Sequence, residues 1–241
     1  MHGSYMLCRA RRTEGISLVN SLAWFVDTPV GKSMKAFPAL FVYSFLLPFL
    51  ITSSTPETIT PSQSIIIDGE TLVSDCGNFE LGFFSPGRSK NRYVGIWYVV
   101  SKGTVVWVAN RETPLENHSG VLKVIDKGIL VLLDSTANTT VWSSNNTPRT
   151  AGNKINSPIA KLLDSGNLVV KDENISDQEK FLWQGFDYPC NTFLPEIKIS
   201  WDLGLDRYIT SWKGMDNPAQ GEFSGGIDRR GLTQIVVANK D

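Results

Sequence analysis

Residues 123–134 read KVIDKGILVLLD and residues 161–172 read KLLDSGNLVVKD. At an offset of 38 residues, six of the twelve positions are identical: Lys123/Lys161, Asp126/Asp164, Gly128/Gly166, Leu130/Leu168, Val131/Val169 and Asp134/Asp172. A fainter copy, LVSDCGNFELGF at 72–83, keeps Asp75, Gly77 and Leu81 at an offset of 51. A repeat of this period constrains the fold more than any other feature, because each unit must bury its apolar face against its neighbours. A tryptophan follows each copy: Trp97, Trp142 and Trp183.

The units read as β-structure. Short runs such as FELGFF, YVGIWYVV, TVVWVAN, GVLKVI, ILVLLD, IAKLLD and NLVVKD are rich in Val, Ile, Leu, Phe and Trp. Gly, Asn, Asp, Ser or Pro punctuates them, as in antiparallel β-proteins. Asp75-Cys-Gly77, Asp126-Lys-Gly128 and Asp164-Ser-Gly166 suit tight turns in which Gly supplies a positive φ. No window after Thr55 carries a helical period. The expectation is an all-β fold of three similar sheets around a shared core, with Trp97, Trp142 and Trp183 as its aromatic centre. Such rings bury on the order of 200 Å² each.

Charge and motifs remove several function classes. The 23 basic and 24 acidic residues leave a net charge of −1, which gives nucleic acid no basic face to bind. There is no CxxC and no Cys/His cluster, so no metal site is expected. GxSxG, HExxH and GxGxxG are absent, as are the kinase VAIK, HRD and DFG signatures. Gly31-Lys32-Ser33 lacks the earlier glycine of a phosphate-binding loop, since Val26 stands there. The expectation is a non-enzyme without cofactor.

Ala36–Ile51 is an uncharged apolar run of sixteen residues, preceded by Lys32 and Lys35 and followed by Thr52, Ser53 and Ser54. That layout is a secretory signal peptide over 34–54, with Met34 as initiator and 1–33 as an upstream extension. The alternative is an uncleaved signal anchor. Four sequons, at Asn117, Asn138, Asn145 and Asn174, agree with export and glycosylation. Cys76 and Cys190 are the cysteines left in the mature chain and could pair in an oxidising compartment. The alternatives are that Cys190 stays free or pairs with something outside this chain.

In order from about Ile59 to Lys213 stand DGETLVS, FELGFFSPG, NRYVGIWY, GTVVWVANRETPL, GVLKV, ILVLL, VWSSN, DSGNLVVK, FLWQGFDYPC and LDRYITSWK. This series resembles the bulb-type (mannose-binding) lectin domain of plant S-domain receptor-like kinases, also called G-type lectin receptor kinases. The resemblance implies a β-prism of three four-stranded sheets with pseudo-threefold symmetry over 55–185, and an extracellular setting. It implies that 186–241 is a linker and the truncated start of an S-locus glycoprotein-like region, an incomplete second β region. There GEFSGGID and LTQIVVAN read as a hairpin, and WDLGLDRY looks shortened.

The resemblance also supplies a sugar motif, Q-x-D-x-N-x-V-x-Y, one per repeat. Its amide and carboxylate groups pair with sugar hydroxyls, which leave water only for partners. Over 123–134 the five positions hold Ile125, Lys127, Ile129, Val131 and Leu133, and only Val131 fits. Over 161–172 they hold Leu163, Ser165, Asn167, Val169 and Lys171, where Asn167 and Val169 fit. The first copy, read from Ser74 through Cys76, Asn78 and Glu80 to Gly82, keeps Asn78 alone. The mannose sites are thus expected to be degenerate, with Ser165, Asn167, Val169 and Asn78 as residual candidates. The expected function is recognition of a protein or peptide ligand, or pairing with a full-length receptor homologue. The alternative is a lectin with one weak glycan site at Leu163 to Lys171. Nucleic acid and a membrane span in the mature chain are not expected.

Overall fold

The computed structural model describes residues 57–62, 64–66, 69–125, 127–144, 155–197, 208–228, 232 and 234–239. The expected extension 1–33, the signal peptide 34–54, the sequon at Asn145 and most of the shortened WDLGLDRY segment lie outside them.

Among the described residues fifteen strands are formed: β1 (Thr58–Ile59), β2 (Ser64–Ile66), β3 (Leu72–Val73), β4 (Phe79–Phe84), β5 (Tyr93–Tyr98), β6 (Ser101–Val108), β7 (Gly120–Ile125), β8 (Ile129–Asp134), β9 (Thr139–Ser143), β10 (Pro158–Leu162), β11 (Leu168–Asp172), β12 (Trp183–Gln184), β13 (Ile209–Gly214), β14 (Asn217–Asp228) and β15 (Gln234–Asn239). They make three four-stranded sheets in the orders β3-β4-β5-β6, β2-β7-β8-β9 and β1-β10-β11-β12, with a three-stranded sheet β13-β14-β15. Every pairing is antiparallel. The all-β class and the three four-stranded sheets of the prism are as expected, as is the β14–β15 hairpin. The two N-terminal strands do not start the first sheet. β2 completes the second sheet and β1 the third, so the amino end ties two repeats together.

Alternation along the strands explains the core. Leu122 and Val124, Leu130 and Leu132, Leu162, and Leu168 and Val170 point inward and are at most 1 % exposed. The three Asp-x-Gly turns share one geometry. Gly77, Gly128 and Gly166 have φ of 71°, 68° and 85°, and each donates its N–H to the carbonyl three residues back. A side chain at Gly128 would also strike Leu182 and Ile155, so this turn of the second sheet packs on the third.

The aromatic centre differs from expectation. Trp107 on β6, Trp142 on β9 and Trp183 on β12 meet pairwise edge to face, with ring centroids 6.0, 5.9 and 5.7 Å apart. Trp97 is not among them. It stands on β5 opposite Glu80, to whose carboxylate its indole N–H donates at 2.9 Å. The first Asp-x-Gly turn lies between the first and second strands of its sheet, whereas the other two lie between the second and third. Counting from that turn therefore lands one strand early. The ladders give the true correspondence: Ile96 pairs Trp107, Leu132 pairs Trp142 and Val170 pairs Trp183.

Residues 55–241 form one compact unit. Arg111, 9 % exposed, joins the prism to β13–β14. Its guanidinium donates to the Pro218 carbonyl, the Thr210 hydroxyl and the Ser211 carbonyl at 2.8, 2.9 and 3.3 Å. Thr210 N–H donates to Cys190 O at 2.7 Å, and Trp212 stacks on Phe84 with centroids 6.4 Å apart. Among the described residues no helix is long and apolar enough to cross a membrane.

Candidate functional site

The third strand of each sheet, β5, β8 or β11, presents alternate residues away from the axial tryptophans. The residue paired with the one following each axial tryptophan fixes the register: Gly95 with Val108, Val131 with Ser143, Val169 with Gln184. These are the Val positions of the motif. The Asn positions, two residues earlier, are Tyr93, Ile129 and Asn167; the Tyr positions, two later, are Trp97, Leu133 and Lys171.

In the third sheet the motif strand is closed upon itself. Asn167 is 5 % exposed, and both ends of its amide are used inside the protein. Its Oδ1 accepts from Phe186 N–H at 3.1 Å, and its Nδ2 donates to Gln184 Oε1 at 3.2 Å. Val169 is fully buried. Lys171 folds along the strand and donates to the Glu173 and Ile175 carbonyls at 3.2 and 2.6 Å. Burial, then repulsion from Lys161, lowers its pKa. Ser165 and Leu163 remain half-buried in the turn.

The second sheet offers an apolar strip. Ile129 and Leu133 replace the Asn and Tyr positions on either side of the retained Val131, which is 7 % exposed. In the first sheet the corresponding strand is β5, so Asn78 is corrected. It is exposed in the turn before β4, where its N–H donates to Ser74 Oγ at 3.2 Å, and it has no place in the groove. The groove itself is filled. A Cβ at Gly95 would stand 2.5 Å from the Phe84 ring, and Phe84 lies 6.3 Å from Trp97. Beneath them Glu80 is held below the usual carboxylate range: burial alone would raise it, but hydrogen bonds from Trp97, Thr71 and Lys102 outweigh that.

The other expected residues are scattered. Asn138 is exposed with φ of 52°, and Asn174 is exposed after β11. Asn117 is half-buried: its Nδ2 donates to Asp134 Oδ2 at 2.9 Å, and its Oδ1 accepts from Ser119 N–H at 3.0 Å. Asp134 gathers the Ser119 hydroxyl, the Ala137 N–H and the Asn117 amide, which bring its pKa to about 2. The pairing of Cys76 with Cys190 is corrected too. Cys190 is a free thiol, 3 % exposed, with its Sγ 3.3 Å from both the N–H and the carbonyl of Val108.

Asn110 and Arg111 were missed. Asn110, 1 % exposed, accepts from Val94 N–H and donates to the Arg92 and Thr113 carbonyls. The shared pattern Trp107-x-x-Asn110 and Trp142-x-x-Asn145 carried the signal for the true axial tryptophan.

Three sheets in this order, closed by one tryptophan from each fourth strand, define a bulb-type lectin domain. The family model described as D-mannose binding lectin matches residues 104–213. The chain is a relative of the S-domain receptor kinases and S-locus glycoproteins of plants. It is 42 % identical over 206 residues to the receptor-like serine/threonine-protein kinase SD1-8 of Arabidopsis thaliana, covering 83 % of this chain and 24 % of that protein. It is 42 % identical over 212 residues to the S-locus-specific glycoprotein S6 of Brassica oleracea, covering 84 % and 48 %. The chain thus spans between about a quarter and a half of the length of these curated relatives. The mannose-specific agglutinin of snowdrop (Galanthus nivalis) bulbs, solved with methyl-α-D-mannoside, aligns at 18 % identity over 51 % of this chain and 94 % of its own, with a TM-score of 0.37. The prism assignment rests on this chain's own ladders.

Proposed function

We propose that the chain is an extracellular recognition module without catalytic activity. In this reading a lectin domain over 55–185 and the β-strands of 186–241 together bind a protein or peptide, or pair with a receptor relative, and the three mannose grooves are degenerate. The observation that carries the reading is the amide of Asn167. It is the best-preserved sugar-binding group of the motif, and both its ends are spent on Phe186 and Gln184. A hydroxyl entering this groove would have to break buried hydrogen bonds to gain its own.

The names of the relatives, receptor and glycoprotein among them, support the extracellular setting. So do the exposed sequons at Asn138 and Asn174. The test is capture from plant extracellular fluid by the immobilised chain. Retention that survives enzymatic removal of glycans from both sides is the expected result. Retention abolished by deglycosylating the fluid proteins would return the function to glycan binding.

A further inference from the structure

Where the three axial tryptophans meet, the prism does not close. A cavity of about 420 Å³ opens there between the fourth strands and the second β region. One wall is aromatic, made by Trp107, Trp142 and Trp183, with Tyr188 stacked on Trp183 at 6.0 Å. Trp107 and Trp183 are 6 % and 3 % exposed, so Trp142, only partly buried, is the ring with surface left to offer. Arg111, Glu112 and Thr210 also line the cavity.

The charges among them select the ligand. Arg111 spends Nε, Nη1 and Nη2 on Pro218, Thr210 and Ser211, so it has little left with which to grip an anion. The Glu112 carboxylate beside it, 55 % exposed and 3.8 Å from its Nε, offsets the charge that would draw one in. A cation would enter against the buried guanidinium. Glu112 uses Oε1 to accept from Gln220 N–H at 2.9 Å, and its half-exposed carboxylate keeps Oε2 for a hydroxyl. A partly exposed indole and a carboxylate acceptor lining one space of this size suit a neutral polyhydroxylated ring.

We propose that this axial pocket, and not the outer strand grooves, binds a neutral saccharide of one or two rings, with Trp142 as platform and Glu112 as hydroxyl acceptor. The site is independent of the outer-groove motif and can coexist with a protein partner elsewhere on the module.

The test is titration of the full chain with methyl-α-mannoside and with cellobiose, followed by residue-resolved NMR and tryptophan emission. The expected result is saturable binding of at least one probe, with shifts centred on the Trp142 indole N–H and the Glu112 and Gln220 amides. Glu112→Gln should weaken it by about tenfold, since a charged acceptor is replaced by a neutral one. Three outcomes would overturn the proposal: saturation by neither probe, undiminished binding in Glu112→Gln, or shifts centred on Val169 and Lys171. The last would also overturn the reading of the third groove as degenerate, and the first would leave that reading intact.

Discussion

Trp107 and Trp183 come from the first and third repeats, yet their rings meet edge to face with centroids 5.9 Å apart. With Trp142 they complete a ring of three contacts to which each sheet contributes one side chain from its last strand. This geometry suits the quadrupoles of the indoles.

The first prediction separates this ring from the neighbouring tryptophan. Trp107→Ala should cost about 3–5 kcal/mol, the range for large core aromatics. Trp97→Phe should cost roughly 1–2 kcal/mol, chiefly through the one hydrogen bond lost to the Glu80 carboxylate, which keeps Thr71 and Lys102. Urea unfolding of both variants checks this. Equal losses would mean that Trp97 shares the axial role.

Arg111 is predicted to be the clasp between the prism and the second β region. Removing it leaves the Pro218 and Ser211 carbonyls and the Thr210 hydroxyl without their donor. Arg111→Ala should destabilise by about 2–4 kcal/mol and expose 209–239 to limited proteolysis before the prism. Arg111→Lys should not restore resistance, because an ammonium cannot reproduce the fork.

Acid should loosen the loops at the ends of β8 and β11. Asp134 is depressed to about 2, first by the Ser119 hydroxyl and then by the Ala137 N–H. Asp172 is lowered by the N–H groups of Asn156 and Ser157. Both folded-state values lie below the unfolded value of about 3.9. Their contribution is therefore fully present above pH ~4 and is lost as pH falls through the folded values, about 2 for Asp134. Asp134→Asn should lower the melting temperature at pH 7 and flatten its decline between pH ~4 and ~2. An unchanged slope in that window would contradict the assignment.

The thiol of Cys190 should be inert in the native protein. Burial raises its pKa, and Val108 covers its sulfur on both backbone sides. Alkylation with peptide mapping should leave Cys190 unlabelled in buffer and label it in denaturant. Rapid native labelling would mean that the β6 edge opens readily.

The sheets, their turns and the closing hairpin were legible because they rest on local chemistry: alternation of apolar residues, and Gly where φ must be positive. The sites were less legible because they rest on partners remote in sequence. Asn167 looked like a sugar ligand until Gln184 and Phe186 were brought beside it. Trp97 looked axial because the first Asp-x-Gly turn serves a different connection from the other two. No local pattern says that β1 and β2 would cross to the third and second sheets, nor that Arg111 would find its acceptors on β13 and β14.

The central claim is that the outer groove of the third sheet no longer holds mannose, because its surviving amide is committed inside the fold. Titration with methyl-α-mannoside while following the Asn167 side-chain N–H₂ and the Val169 and Lys171 amides tests it most directly. The account predicts that these signals stay unmoved to saturating sugar. Saturable shifts in all three would contradict it.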